Sequence, residues 1–254
     1  MRLLPLVLPP IVLLLALPAL AQERRSGLHD MARETQAMQQ DDSRNPGMLW
    51  VLDGEALWQA AAGPAGNRCA TCHGDAAVSM RGVAARYPAW DAATGAPIDL
   101  AGRIAQCRER RQGAPPLARE SQGLLSLGAF VGQQSRGLPI SPPADPRLDA
   151  ARMEGAALYT KRRGQLDLSC AQCHDNNAGR RLAGSVIPQA HPTGYPLYRL
   201  EWQAVGSLQR RLRGCMTGVR AEPFAYGSAG YIAIELFLMS RAAGMPLETP
   251  AVRP

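Results

Sequence analysis

The chain is poor in large aromatic side chains, in lysine, in histidine and in long apolar runs. Three Phe and four Trp in 254 residues are too few to fill two ordinary cores unless a prosthetic group supplies part of the apolar volume. Lys161 is the single lysine, so positive charge is carried almost wholly by arginine. No basic run interleaved with aromatics marks a nucleic-acid footprint, and nucleic acid is excluded as a partner class. After residue 21 no segment is long and apolar enough to span a bilayer, so no membrane anchor is expected in the mature chain.

What is present is more specific. Two of the four histidines close copies of one pentapeptide, Cys69-Ala-Thr-Cys72-His73 and Cys170-Ala-Gln-Cys173-His174. C-x-x-C-H is the attachment signature of c-type haem. Cysteines at i and i+3 share one helical face, so both sulfurs reach the vinyl groups of one porphyrin. The adjacent histidine then meets the iron as proximal ligand. A Cys₄ zinc site, a redox dithiol or plain disulfides would need neither histidine, still less one at the same offset twice. The motifs therefore predict two covalently bound haem c groups, on Cys69, Cys72, Cys170 and Cys173, with His73 and His174 as iron ligands.

Met1–Ala21 carries Arg2, an apolar run and an Ala19-Leu20-Ala21 cleavage signal. It reads as a signal peptide removed near Gln22, which predicts export to a bacterial periplasm. The run is short and broken by Pro5, Pro9, Pro10 and Pro18, unlike a membrane anchor. In an oxidising compartment six cysteines would ordinarily form disulfides, but four are taken by porphyrin, leaving Cys107 and Cys215. The formal net charge of +7, reduced by about four haem propionates, suits an anionic partner or substrate.

An internal repeat organises the rest. Asp53-Gly-Glu-Ala-Leu-Trp58 recurs as Met153-Glu-Gly-Ala-Ala-Leu-Tyr159, with Leu57 and Leu158 at the offset of 101 that relates Cys69 to Cys170. Farther on the offset is 108: Tyr87-Pro88 matches Tyr195-Pro196 and Cys107 matches Cys215, so the second copy holds seven extra residues after its haem motif. The reading divides the chain into a signal peptide (1–21), a polar N-terminal extension lying on the surface (22–46), a first haem domain (47–137), a proline-rich linker (138–146) and a second haem domain (147–254). Helices are expected at Gly54–Ala62 and Glu154–Arg162 before the motifs, and at Gln122–Gln134 and Gly230–Ala242 after them. Leu100, Ile104 and Cys107, like Leu208, Leu212 and Cys215, mark one face of a further helix in each copy. Fold class is mainly α: two tandem class I cytochrome c-like domains, each wrapped on a covalent haem.

The sixth iron ligand is then the question. Met80, Met216 and Met239 have no methionine counterpart in the repeat, and only His29 and His191 remain. Cys107 and Cys215 do repeat, one per domain. Two alternatives stand beside thiolate ligation, a Cys107–Cys215 disulfide and ligation by Met216. A thiolate favours ferric iron and a low potential, which suits chemistry at sulfur better than general electron carriage.

With both motifs, both later cysteines and the stretch from Arg211 through Cys215 to Ser228, the chain resembles the A subunit of the sulfur-oxidising SoxAX cytochrome complex, L-cysteine S-thiosulfotransferase. The resemblance implies His73 and Cys107 on the first iron, His174 and Cys215 on the second, a persulfide on Cys215, and Arg211 binding substrate. It further implies a SoxX-like monohaem cytochrome c partner, a SoxYZ-like sulfur-carrier protein, and thiosulfate as the species coupled to the carrier cysteine. Arg211 lies one turn before Cys215, but Arg103 stands likewise before Cys107, so this feature does not tell the domains apart; Arg220, opposite Gln112, does. Arg210, Arg213 and Arg220 are also explained by a solvated face or by propionates, and His191 by a loop position. A non-enzymatic dihaem electron carrier and a dihaem peroxidase are the rival classes.

Overall fold

The computed structural model describes residues 23–254; the expected signal peptide lies outside the described residues. The described chain is mainly helical and contains two lobes of the same plan. The first follows an N-terminal α1 (Arg33–Gln40) and runs α2 (Met48–Gln59), α3 (Cys69–His73), α4 (Ala76–Ser79), a hairpin of β1 (Ala89–Asp91) and β2 (Ala96–Ile98), α5 (Leu100–Gln112) and α6 (Gln122–Gln133). The second runs α7 (Asp149–Thr160), α8 (Cys170–His174), hairpin β3 (Arg181–Leu182) with β4 (Ser185–Val186), hairpin β5 (Leu197–Arg199) with β6 (Ala204–Gly206), α9 (Leu208–Gly218), α10 (Ala229–Arg241) and a terminal β7 (Val252–Arg253).

The helices expected before each motif start earlier than the sequence suggested. Gly54 and Glu154, the expected helix starts, lie inside α2 and α7, and Gly155 follows within α7. A Cβ on Gly54 would stand 2.1 Å from the Ser126 carbonyl oxygen of α6, and one on Gly155 would stand 2.0 Å from the Ala233 oxygen of α10. Each glycine thus allows the opening helix to lie backbone-to-backbone on the closing helix, a close approach that offsets its low helix propensity. Around these crossings sit the two cores. One holds Val51, Trp58, Ala129, Phe130 and Val131, the other Tyr159, Met216, Tyr231, Ile234 and Leu238.

Ser121 and Ser228 cap α6 and α10, accepting from the N–H groups of Leu124 and Tyr231, and Asp99 and Ser207 cap α5 and α9. The hairpins β1–β2 and β5–β6 have matching registers, Asp91 opposite Ala96 and Arg199 opposite Ala204. The Tyr87-Pro88 and Tyr195-Pro196 bonds before them are both cis. The seven extra residues of the second copy contribute to the β3–β4 hairpin, where the first lobe instead forms the short α4.

The lobes are fused. Residues of the proline-rich stretch pair with the end of the chain: Ile140 N–H donates to the Met245 carbonyl at 2.8 Å and Leu247 N–H to that of Leu138 at 2.9 Å. Ile140 is buried with Ala84, Met239, Ala242 and Leu247. Leu125 of α6 packs on Tyr198, Val205 and Val252 of the second lobe. Asp99 also joins the halves, accepting from Arg119 and, at 2.9 Å, from Gln209 Nε2. The N-terminal extension contains α1, which periodicity did not reveal. Its polar side chains act as specific clasps: Gln39 Oε1 accepts from Val252 N–H at 3.0 Å, and Asn45 Nδ2 donates to the Pro250 carbonyl at 2.8 Å.

Candidate haem and sulfur site

Each C-x-x-C-H run forms one short helix capped at its start by a side chain, reciprocally in the second lobe. Ser169 Oγ accepts from Gln172 N–H at 3.2 Å while Gln172 Oε1 accepts from Ser169 N–H at 2.8 Å. In the first lobe the Thr71 hydroxyl accepts from Arg68 N–H at 3.1 Å. Its far end is tethered by the residue before each motif that the repeat equates. Trp58 Nε1 donates to the Gly74 carbonyl at 3.1 Å, and the Tyr159 hydroxyl donates to Asp175 at 2.8 Å.

In the second lobe the imidazole is aimed. His174 Nδ1 lies 2.7 Å from the Pro188 carbonyl oxygen. A carbonyl only accepts, so Nδ1 carries the proton and Nε2 keeps its lone pair for a metal. Pro188 directly follows the β3–β4 hairpin, so the extra residues of the second copy bring the carbonyl that orients the ring. Among the described residues no hydrogen bond to the His73 ring is found; that ring instead lies against Trp58, with centroids 5.6 Å apart.

The two later cysteines come to the motif helices of their own lobes. All six cysteines are free. Cys107 is close enough to Cys69 to raise its thiol pKa further, beyond the effect of burial. Cys170 is pushed up to about 11 by burial and then by Cys215. Cys107 and Cys215 thus each neighbour the motif cysteine of their own lobe and are not joined to each other. Met216, the other alternative, is buried in the core, where its sulfur accepts from the Tyr231 hydroxyl at 3.8 Å. The expected apolar stripes Leu100–Ile104–Cys107 and Leu208–Leu212–Cys215 are only half-buried, because they look toward the motif helices rather than into a sealed core.

Cys215 is the electrostatically distinct sulfur. Burial raises its thiol pKa, but the neighbouring His174 and the charges of Arg211 and Arg199 outweigh that and bring it below the ordinary thiol value. Tyr195 lies in the same group, its phenol pushed up by burial and pulled back by Arg211. Arg211 is therefore close enough to Cys215 to act on it as a charge. The other arginines singled out from the sequence are engaged elsewhere. Arg210 stacks 4.2 Å from the Trp202 ring centroid, Arg213 lies over Tyr226, and Arg220 donates to Gln165 from an exposed turn. The Arg220–Gln112 difference thus does not act at the sulfur. His191 Nδ1 is tied to the Arg25 carbonyl at 2.9 Å in the N-terminal extension.

Sequence reasoning missed Arg199, Arg163 and Arg241. Arg163 Nε and Nη2, Arg241 Nε and Arg199 Nε are buried without a hydrogen-bond partner. Buried guanidinium nitrogens left this way ask for an anion. Arg163 lies within electrostatic reach of Cys170 and Arg241 donates to Asp175, both on or beside α8. Among the described residues no three His, Cys, Asp or Glu side chains are grouped as a protein-only metal site. One imidazole and one thiol per lobe, with two anchoring cysteines alongside, instead match a metal whose other ligands come from a porphyrin. The residues fit haem c.

Comparison with known proteins agrees with this geometry. A family model described as SoxA/TsdA, cytochrome c domain, matches residues 53–140 and again 154–247. The L-cysteine S-thiosulfotransferase subunit SoxA of Pseudaminobacter salicylatoxidans is 38% identical over 221 residues, which cover 87% of this chain and 77% of that protein. The same subunit from Rhodovulum sulfidophilum is 35% identical, over 91% of this chain and 80% of that protein. A crystal structure of SoxXA from P. pantotrophus superposes with a TM-score of 0.88 at 33% identity, covering 91% of this chain and 87% of that one.

Proposed function

Because the chain belongs to the SoxA/TsdA cytochrome c family, among its SoxA members, we propose that it is the L-cysteine S-thiosulfotransferase subunit that couples thiosulfate to a cysteine of a sulfur-carrier protein. The balance is simple: the sulfane sulfur of thiosulfate and the carrier thiolate form one sulfur–sulfur bond, giving a cysteine S-thiosulfonate and releasing two electrons. Covalent haem c, the cofactor of such cytochrome domains, would supply one-electron redox chemistry when bound, and a partner cytochrome is the acceptor of those electrons.

Two haems are held, one per lobe. Cys69 and Cys72 anchor the first, with His73 and Cys107 as ligands; Cys170 and Cys173 anchor the second, with His174 and Cys215. Cys215 carries the reacting sulfur as a persulfide. Arg211, one turn earlier on α9, sets a positive charge beside that residue. Arg211 presents a fork of N–H donors to the sulfonate oxygens and orients the sulfane end toward Cys215. Hairpin β3–β4 holds His174 in one tautomer through the Pro188 carbonyl. A SoxX-like monohaem cytochrome completes a heterodimer, as in the SoxXA complex that this chain resembles, and a SoxYZ-like protein presents the acceptor cysteine. The chain is exported to the periplasm. Among the described residues no helix is long and apolar enough to cross a membrane.

The observation that carries the reading is the placement of Cys215 on α9 with Arg211 one turn before it, in the lobe where Arg199 Nε is buried without a partner. The experiment is turnover by the haem-loaded complex with thiosulfate and the carrier protein, read as thiosulfonate adduct on the carrier by mass spectrometry. An adduct that forms with wild type and not with Cys215→Ala, both porphyrins retained, supports it; equal adduct in both overturns it. An electron-only role would be signalled by a Met–iron charge-transfer band, and Met216 is committed to Tyr231 instead.

A further inference from the structure

The repeat places an acid and a base at the same point of the two lobes. Asp91 and Arg199 are the last residues of β1 and β5, and their strand registers match. The residues they face also correspond: Arg103 on α5 and Arg211 on α9, each one turn before the cysteine of its lobe. In the first lobe the pair is closed. Asp91 Oδ1 lies 3.1 Å from Arg103 Nη1, and Asp91 Oδ2 takes Gln106 at 2.7 Å and Thr94 at 2.9 Å. The Asp91 carboxylate thus already takes Arg103, Gln106 and Thr94 there.

In the second lobe no carboxylate occupies that point. Arg199 and Arg211 repel each other, and both act on Tyr195 and Cys215. Arg199 gives Nη2 to Glu201 at 2.9 Å on the solvent edge, where the Glu201 side chain is 67% exposed. Its Nε, on the inner edge, is buried and unpaired. Like charges held together in a part-buried site are costly unless an anion completes them. Stacking on Trp202, at 5.1 Å to the ring centroid, holds the Arg199 plane in place. Thiosulfate has the right chemistry for such a gap, with two charges and a tetrahedral sulfonate that two guanidiniums can share.

We infer that Arg199 is a second substrate-binding residue, which grips the sulfonate together with Arg211, and that Asp91 fills the corresponding anion position of the first lobe with the protein's own carboxylate. This inference rests on the thiosulfate-coupling reading and adds to it the reason one lobe accepts an oxyanion and the other does not.

The test compares Arg199→Gln, Arg199→Lys and wild type as haem-loaded complex, by steady-state turnover over a thiosulfate series with the carrier protein in excess. Haem absorption spectra check that each variant is folded and loaded. For Arg199→Gln the expected result is a thiosulfate KM raised at least about tenfold, the scale of one lost hydrogen bond to a charged group, with kcat changed less than about threefold. Inhibition by sulfate, as a competing oxyanion, should weaken in parallel, and Arg199→Lys should recover part of the KM. An unchanged KM in Arg199→Gln, or a fall in kcat alone, overturns the inference while leaving the wild-type activity standing. A wild type without turnover overturns the underlying reading instead. If Arg199→Gln fails to load haem, Arg199→Lys carries the test: a KM within about twofold of wild type together with undiminished sulfate inhibition supports charge at this position, and a lost sulfate effect with normal KM overturns it.

Discussion

The first lobe and the second share helices, caps, hairpins and even the glycine at each helix crossing, yet they surround their late cysteines differently. Around Cys107 the neighbouring arginine is neutralised by Asp91, and His73 leans on Trp58. Around Cys215 the neighbouring arginine faces another arginine, and His174 is steered by the Pro188 carbonyl. The difference teaches how a duplicated scaffold is given two roles. Packing positions are kept because both lobes must close on the same type of group, while a charge at one strand end and one inserted hairpin decide whether a sulfur is available to a dianion.

The comparison is broken most sharply at the cysteines. Cys215→Ala should abolish thiosulfate-dependent adduct formation while leaving both porphyrins attached, since Cys170 and Cys173 are untouched. Cys107→Ala should retain turnover within about threefold. Counting haems by intact mass and adduct on the carrier by peptide mass checks both. Next in size, Arg211→Gln should lower kcat/KM for thiosulfate about ten- to hundredfold, the range for one charged hydrogen bond, whereas Arg103→Gln in the paired lobe should change it little. Steady-state kinetics of the two variants side by side reads the contrast.

Smaller effects sharpen the comparison from the side of what the lobes share. Gly54→Ala and Gly155→Ala should each destabilise the haem-loaded protein by about 1–3 kcal/mol, the usual cost of forcing extra atoms into a packed contact, and by similar amounts, because the clashing carbonyls are equivalent. Thermal unfolding measures this. The least effect concerns the seam between the lobes. Glu235 is buried with Asp99, Arg119, Glu120 and Gln209 around it; burial and then Asp99 push its pKa well above the carboxylate range. The folded protein therefore keeps a proton that the unfolded chain releases, and stability falls as pH rises from the ordinary carboxylate value toward the raised one. Glu235→Gln should flatten that fall above the ordinary carboxylate value, seen as a smaller change in unfolding midpoint with pH.

Much of this was legible before any coordinates. The offsets of 101 and 108 already paired the motifs, the late cysteines and the Tyr-Pro steps, and the i, i+4, i+7 spacing put Cys107 and Cys215 on equivalent helix faces. What escaped was non-local. Gly54 and Glu154 looked like helix starts because nothing in the sequence shows the carbonyls that pass 2.1 and 2.0 Å from where a Cβ on Gly54 and on Gly155 would sit. Gln39 and Asn45 looked like a solvated tail because their partners are backbone groups some 200 residues away. Arg220 looked like the residue that separates the lobes, and the fold turns it to the surface. The real separation, Asp91 against Arg199, stood in the sequence at the 108 offset. Its meaning needed the strand end to be placed opposite the arginine before the cysteine.

The central claim is that the second lobe alone presents its sulfur to thiosulfate. Its most direct measurement is peptide mass spectrometry of the native haem-loaded protein after exposure to thiosulfate, comparing the peptides that contain Cys107 and Cys215. One additional sulfur on the Cys215 peptide and none on the Cys107 peptide is the expected result. Additional sulfur on Cys107, or on both alike, would contradict the account.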